Sequence, residues 1–402
     1  MKHIVMQEEV IMPGPGAYLF GDEERKELLD VMESGYLSRY GEENDPRFKH
    51  KVVDFEREFA KLVGVKHCVA VSSGTGALMT CLAALGIGRG DEVIVPGYTF
   101  IASISAILLM NATPVLAEID ESLTIDPNDI EKRITPRTKA IMPVHMLGNP
   151  CDMDKIMKIA RKHKLFVIED CCQAAGAKYR GKSVGSIGDI GGFSLNVFKT
   201  ITAGDGGMVV TDNDERYELA FGFHDQGHKP LRMGLEVGKR SIVGMNFRVN
   251  ELTGAVALAQ VRKIPYILET LKEKKNKLKN LIAGTPNFTF RKINDEEGEC
   301  HTLLTLLFDT KKKADTFGER IGTKTVAHSG WHVYNNMEQI LKALNIKPHC
   351  LPQTDSILER AINVSVGVVD AGLGAPFGIN ILSTDKEIEA VAAKIKECAK
   401  DL

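Results

Sequence analysis

The chain has 402 residues, 44% hydrophobic and 26% charged, with 51 basic side chains against 53 acidic ones. That length exceeds what one hydrophobic core usually supports, so two structural units, or one large α/β layer with a smaller appended domain, are expected. The balanced charge leaves no global field for nucleic acid, a membrane surface or a polyanion, so any anion must be recognised locally.

The opening "MKHIVMQEEVIMPGPG" lacks a basic stretch followed by a continuous apolar run, and no window approaches a membrane-spanning length, which predicts a soluble cytoplasmic chain. The eight cysteines include no CxxC pair and no zinc-type His/Cys spacing, so they read as reduced thiols and no metal centre is expected. "DEERKELLDVMESG" (22–35) places Leu28, Leu29 and Met32 on one helical face and stops at a glycine; "KVVDFEREFAKLVG" (51–64) repeats the pattern.

From "HCVAVSS" (67–73) onward, short apolar strands alternate with helices. "GTGALMTCLAALG" (74–86) is a glycine turn running into a helix; strand "DEVIVP" (91–96) precedes helix "TFIASISAILLMN"; strands "TPVLAEI" and "KAIMPVHM" lead to helix "DMDKIMKIARKHK" and strand "LFVIED" (165–170). Such alternation calls for an α/β fold with a mostly parallel sheet covered by helices on both faces. After "GGMVVTD" (206–212), the helix-rich stretch 250–284 becomes charge-laced in its second half and suits a connector. The predicted division is a large domain over 1–262 and a smaller α+β domain over 263–402, which includes "NFTFRKI", "HTLLTLLFD" and a terminal helix at 385–400.

An open parallel sheet binds ligands beyond the carboxyl ends of its strands. The residues there form an unusual set. "SSGTG" (72–76) offers helix-start amides with the hydroxyls of Ser73 and Thr75, suited to a phosphate or to simple capping. "PGYTF" presents Tyr98 and Phe100, either core aromatics or a stacking face. Asp170 and Gln173 follow "LFVIED", and Asp170 either caps a helix or holds a ring nitrogen protonated. In "FSLNVFKTITAGDGG", Lys199 follows Ser194 and stands among apolar residues, where a buried amine titrates toward neutrality and becomes nucleophilic. Together, an aromatic, an acid, a lysine and hydroxyl-rich glycine turns complement pyridoxal 5'-phosphate.

The stretches "SSGTGALMTCLAALGIGRGDEVIVPGYTF", "EDCCQAAGAKYRGKSVGSIGDIGGFSLNVFKTITAGDGGMVVTD" and "GMNFRVNELTGAVALAQ" resemble the DegT/DnrJ/EryC1/StrS family of fold-type I, pyridoxal phosphate-dependent sugar aminotransferases, over nearly the whole chain. The resemblance implies that Lys199 holds the cofactor covalently, Asp170 pairs with its ring nitrogen, Phe100 stacks on the ring and Gln173 lies near the ring hydroxyl. Gly74, Thr75 and Ser194 would hold the phosphate, with Asn246 reaching it from a second subunit, so a homodimer with shared sites is implied. Asp205 stands where the family commonly has glutamate. His145, His224 and His228 are candidates for the substrate pocket or for local bonding. "SGYLSRYGEENDPRFKH" (34–50) and "HSGWHVYNNMEQIL" (328–341) look similar to the branch that aminates C8 of the acidic sugar Kdo, which would make Arg39, Arg47, Lys49 and His50 either candidates for a sugar carboxylate or phosphate or parts of a solvated basic loop, with Tyr40 a further substrate candidate.

The function this implies is transfer of an amino group from L-glutamate or L-glutamine to a keto- or aldehydo-sugar. A sugar dehydratase of the same family would replace Lys199 by histidine. A non-catalytic sensor of the same fold is disfavoured by the intact Lys199 and Asp170 and by the lack of an appended DNA-binding segment. A nicotinamide oxidoreductase would need GxGxxG after the first strand, which "SSGTG" does not supply.

Overall fold

Runs of aliphatic residues too short for a helix, bounded by Gly, Pro, Asp and Ser, form the strands of the central sheet. The computed structural model describes residues 12–42, 44–230 and 240–402; most of the opening stretch read above, residues 1–11, lies outside the described residues. In chain order the first nine strands are β1 His67–Val71, β2 Glu92–Pro96, β3 Thr113–Ala117, β4 Thr138–Ile141, β5 Phe166–Asp170, the short hairpin β6 Lys178–Tyr179 and β7 Lys182–Ser183, β8 Ile190–Ser194 and β9 Gly207–Thr211.

Seven of them make one sheet in the order β1-β9-β8-β5-β4-β2-β3. β3, β2, β4, β5 and β8 pair in parallel, while β9 lies antiparallel between β8 and β1. β1 therefore runs the same way as β8, and six of the seven strands end at one edge. The exception has a local cause: β8 and β9 are joined by a compact loop over 195–206 rather than a crossover helix, and a short connection returns the chain antiparallel.

Alternation along each strand divides the core between the two faces. Val69 and Val71 pack with Leu78 and Leu82 of the helix Gly74–Ala84, whereas Cys68 and Ala70 face Phe55 and Phe59 of the helix Lys51–Val63. The helices Asp22–Ser34 and Lys51–Val63 stand where the periodicity predicts, each ending at a left-handed glycine, Gly35 and Gly64. The second is capped from a distance: the Glu251 carboxylate accepts the Lys51 and Val52 N–H groups at 2.7 and 3.1 Å.

The 250–284 stretch resolves into two helices, Glu251–Val261 and Ile264–Ile282, with Pro265 in the first turn of the second. Beyond it, β10 Phe288–Phe290, β11 Leu303–Phe308 and β12 Ala361–Ser365 form an antiparallel three-stranded sheet. Leu306, Phe308 and Phe317 of this region share one core cluster with Phe55, Phe59 and Phe193, so the small sheet is welded to the large one by continuous apolar packing.

Among the described residues no helix is long and apolar enough to cross a membrane. All eight cysteines are free thiols.

Candidate active site

The loops leaving the common strand edge enclose a cavity of about 530 Å³, roofed by Trp331, His332 and Asp370 from the C-terminal region. Seven residues expected from the sequence line it together: Gly74, Thr75, Phe100, Asp170, Gln173, Ser194 and Lys199.

Lys199 sits in the β8–β9 loop, whose shape is fixed from within and from behind. Its backbone N–H bonds to the Asn196 carbonyl at 3.0 Å, and the Thr202 hydroxyl bonds to the Leu195 carbonyl at 2.9 Å. Behind the loop, the Gln260 side chain accepts the Thr202 N–H at 3.2 Å and donates to the Gly16 carbonyl at 3.1 Å and to Glu24 at 2.8 Å. The N-terminal "PGPG" turn presses against the same backbone; a Cβ on Gly14 would lie 2.7 Å from the Val197 carbonyl oxygen and 2.8 Å from that of Lys199. Loss of hydration in the cavity lowers the pKa of the Lys199 amine, against the opposing pull of Cys172, Asp170 and Asp370. Its Nζ lies 5.8 Å from the centre of the Phe100 ring.

Asp170 ends β5 and is 2% exposed. Its Oδ2 accepts the Ser103 hydroxyl at 2.6 Å and its Oδ1 accepts the Cys172 N–H at 3.0 Å. Since Ser103 donates its proton to the carboxylate, the Thr99 hydroxyl 2.6 Å behind it donates to Ser103. The chain of hydroxyls holds a carboxylate at the cavity floor without a cation. Phe100 caps the next helix and is 39% exposed, its ring tilted against His332 at 5.3 Å.

The helix Gly74–Ala84 begins at the cavity wall, and its cap, Ser73, accepts the Gly76 N–H at 2.9 Å. The N–H groups of Gly74 and Thr75, in the first turn, have no partner within the helix. Gly74 is needed for space: a Cβ there would come within 2.8 Å of the Ser194 Cβ, 3.0 Å of its Oγ and 3.1 Å of the Cys172 Sγ. Gln173 gives its Oε1 to the Leu147 N–H at 2.9 Å, which turns its amide N–H groups to the cavity it lines.

Nine expected contact residues are not among those lining the cavity: Arg39, Tyr40, Arg47, Lys49, His145, His224, His228, Asn246 and His50, the last at the start of the helix Lys51–Val63 with its ring 4.2 Å from that of Phe48. His145 is fully buried: its Nδ1 accepts the Cys151 N–H at 3.0 Å, so its Nε2 donates to Glu169 at 3.1 Å. Arg39 is 5% exposed, spanning Glu56 at 3.0 Å and the His224 Nε2 at 3.1 Å. His224 gives its Nδ1–H to the Phe221 carbonyl, and burial with the adjacent Arg39 charge drives its pKa down to about 3. The Tyr40 hydroxyl bonds to Asp225. His228 and Asn246 stand on the turn and loop that meet at Asp225, Asn246 exposed. Of the basic loop, Arg47 is paired with Asp45 at 2.7 Å and Lys49 bonds to the Pro46 carbonyl at 3.1 Å.

His145, Glu169 and Cys171 bring possible metal-ligand atoms within 4.8 Å of one another. The arrangement is a closed knot: Glu169 accepts the Gly185, Ile187 and Gly188 N–H groups at 2.9, 2.7 and 2.6 Å as well as His145.

The cavity also contains residues not singled out in the sequence, namely Thr99, Ser103, Cys172 and Asp370, together with Trp331 and His332 from the stretch 328–341, which was noted as a whole. Ser103 had a legible signal, lying one helical turn after Thr99 at the start of the helix that follows Phe100. Asp370 had none, since its place depends on the packing of the C-terminal sheet.

A sequence model described as the DegT/DnrJ/EryC1/StrS aminotransferase family matches residues 19–369. The chain is 40% identical over 306 residues to the GDP-perosamine synthase of Escherichia coli O157:H7, covering 75% of this chain and 80% of that protein. It is 44% identical over 242 residues to the GDP-perosamine synthase of Caulobacter vibrioides, covering 60% of this chain and 62% of that relative. The structure is similar to that of an aminotransferase from Psychrobacter cryohalolentis, with a TM-score of 0.80 and 28% identity over 96% of this chain and 98% of that one.

Proposed function

Because the chain belongs to the DegT/DnrJ/EryC1/StrS aminotransferase family, we propose that it takes an amino group from L-glutamate or L-glutamine and delivers it to the keto or aldehydo carbon of a sugar. The family is one of pyridoxal phosphate-dependent sugar aminotransferases that serve amino-sugar biosynthesis, and the cavity's residues fit that cofactor. The fit rests on this structure: a cradle that a single Cβ would fill, first-turn amides without helix partners, and a lysine amine of lowered pKa facing an anchored carboxylate. Pyridoxal phosphate, when bound, supplies a carbonyl for the amine and a ring that draws off electrons.

The observation that carries the reading is the meeting of Lys199, Asp170 and Phe100 in one cavity. In this assignment Lys199 holds the cofactor and, once freed by the donor, moves the proton at the donor α-carbon, for which a lowered pKa suits its amine. Asp170 keeps a ring nitrogen protonated, and the Thr99–Ser103 hydroxyls fix its orientation. Phe100 supports the ring face and Gln173 its hydroxyl edge. Gly74, Thr75 and Ser194 bind the phosphate through backbone and hydroxyl donors. Asn246, exposed on its loop, reaches the phosphate of a second copy, which makes the enzyme a cytoplasmic homodimer with shared sites.

For the acceptor we propose the eight-carbon sugar acid Kdo oxidised to an aldehyde at C8, the substrate to which the stretches 34–50 and 328–341 point. A nucleotide-linked keto-sugar is the competing acceptor, favoured by the relatives named for GDP-perosamine. The test is direct. Protein loaded with pyridoxal phosphate absorbs visible light, glutamate or glutamine abolishes that absorption, and one of the two sugars restores it. Borohydride reduction followed by peptide mapping marks Lys199; an unmodified Lys199 peptide refutes the assignment.

A further inference from the structure

The C-terminal wall of the cavity is built from two short segments, each fixed in place by backbone bonds. Trp331 and His332 are strapped to the turn before Phe100: the Thr99 N–H bonds to the His332 carbonyl at 2.9 Å and the Ile101 N–H to the Trp331 carbonyl at 2.8 Å. Asp370 opens a tight turn closed by the Ala375 N–H on its carbonyl at 2.9 Å and by the Gly372 N–H on its Oδ1 at 2.7 Å. The two segments are joined through Ser329, whose hydroxyl donates to the Gly372 carbonyl.

That bond settles the state of His332. With its proton given to Gly372, the Ser329 Oγ can only accept from the His332 Nδ1, 2.9 Å away, so the ring carries its proton on Nδ1 and presents a bare lone pair on Nε2. Among the described residues nothing donates to that Nε2; the Asp370 carboxylate takes only backbone N–H groups of its own turn, those of Gly372 and Leu373, and both residues line the cavity. Burial holds the His332 ring neutral, with its pKa lowered to about 3, and Lys199 adds to the effect. The same wall contains no cation. Its His332 and Asp370 therefore offer acceptors, fitting a ligand rich in hydroxyl donors and opposing a carboxylate or phosphate.

Resting on the aminotransferase reading above, we propose that Asp370, assisted by the His332 Nε2, is a specificity-determining residue that accepts hydrogen bonds from the hydroxyl groups of the sugar. The amino-acid donor places its carboxylates away from this wall. Asp370 thus separates the two half-reactions that share one cavity.

The test uses the holoenzyme and its Asp370→Asn variant. Asparagine keeps an oxygen for the Gly372 N–H and so preserves the turn, but it replaces the free acceptor with a donor. Calorimetric titration with Kdo, whose ketone is closed in the ring as a hemiketal and whose C8 is an alcohol, and in parallel with GDP-mannose, which has no keto group, reads sugar binding without turnover. The variant is expected to bind the sugar that the wild type takes roughly 10- to 100-fold more weakly. Loss of visible absorption on adding glutamate should change far less than sugar affinity, any change reflecting the lost pull of the Asp370 charge on the Lys199 amine. Equal sugar affinity in the two proteins overturns the proposal, as does a wild type that takes neither sugar. A variant slowed equally with donor and with sugar also overturns it, because that pattern belongs to a distorted cavity. A wild type that never responds to glutamate or glutamine instead refutes the aminotransferase reading itself.

Discussion

Replacing Gly74 by alanine separates the cost of crowding from the cost of losing an anion site. The new methyl group would stand 2.8 Å from the Ser194 Cβ, 3.0 Å from its Oγ and 3.1 Å from the Cys172 Sγ, all shorter than the 3.4 Å at which ordinary contact begins. Ser194 is the last residue of β8, held in register opposite Gly207 of β9, and gives way little. Overpacking of this kind costs about 1–3 kcal/mol, and alanine's better helix propensity returns up to about 1 kcal/mol. The net loss of stability is about 1–2 kcal/mol, a shift of a few degrees in the unfolding midpoint. The effect on the cofactor is larger. The methyl group presses on the Ser194 hydroxyl, one of the proposed phosphate donors, and a hydrogen bond to a charged group contributes about 1.5–3 kcal/mol, so affinity for pyridoxal phosphate should fall roughly 10- to 100-fold. Titrating the apoenzyme with cofactor while following visible absorption gives the affinity, and circular dichroism on heating gives the stability. Wild-type affinity together with reduced stability would show that the phosphate binds elsewhere.

Lys199→Met should abolish covalent attachment and turnover while making the apoenzyme more stable near neutral pH, because the depressed pKa of the lysine means that the unfolded chain binds a proton the folded chain resists. That gain should shrink as pH rises toward the ordinary lysine range; urea unfolding at several pH values checks it. His224, with a folded pKa of about 3 against an ordinary 6.5, takes its proton only in the unfolded chain across that interval, so stability should fall as pH drops through it. His224→Gln should flatten that part of the profile. Glu169→Gln should cost about 3 kcal/mol or more in urea unfolding, since three backbone N–H groups and His145 converge on a carboxylate that the amide replaces only in part. Asn246→Ala should weaken pyridoxal phosphate binding in proportion to the dimer population measured by sedimentation; unchanged binding by the dimer counts against a shared site.

The parallel architecture was legible because apolar strands and amphipathic helices alternate with clear glycine stops, as at Gly35 and Gly64. The antiparallel insertion of β9 was not, since a strand's direction depends on the length and path of its connection and "GGMVVTD" reads the same either way. The cavity's centre was legible for a topological reason: Gly74, Phe100, Asp170 and Ser194 each lie at or just past the end of a strand, and the sheet brings those ends together. The histidines stayed open between pocket and local bonding because sequence shows polarity but not partners. His145 and His224 are satisfied inside the protein by Glu169, Arg39 and backbone groups distant in sequence. Asp370 and His332 reach the cavity only through the folding of the C-terminal sheet against the first, a long-range event that no local pattern encodes.

The Gln260 bridge also sets a timetable. Its amide joins Gly16, Glu24 and Thr202, so the loop bearing Lys199 acquires its final backing only after a residue made much later in synthesis folds back onto the amino terminus. A ribosome-bound chain that has emerged only as far as β9 carries the lysine without the scaffold that tunes it. Such a nascent chain offers aldehydes an ordinary amine until Gln260 has emerged and folded back.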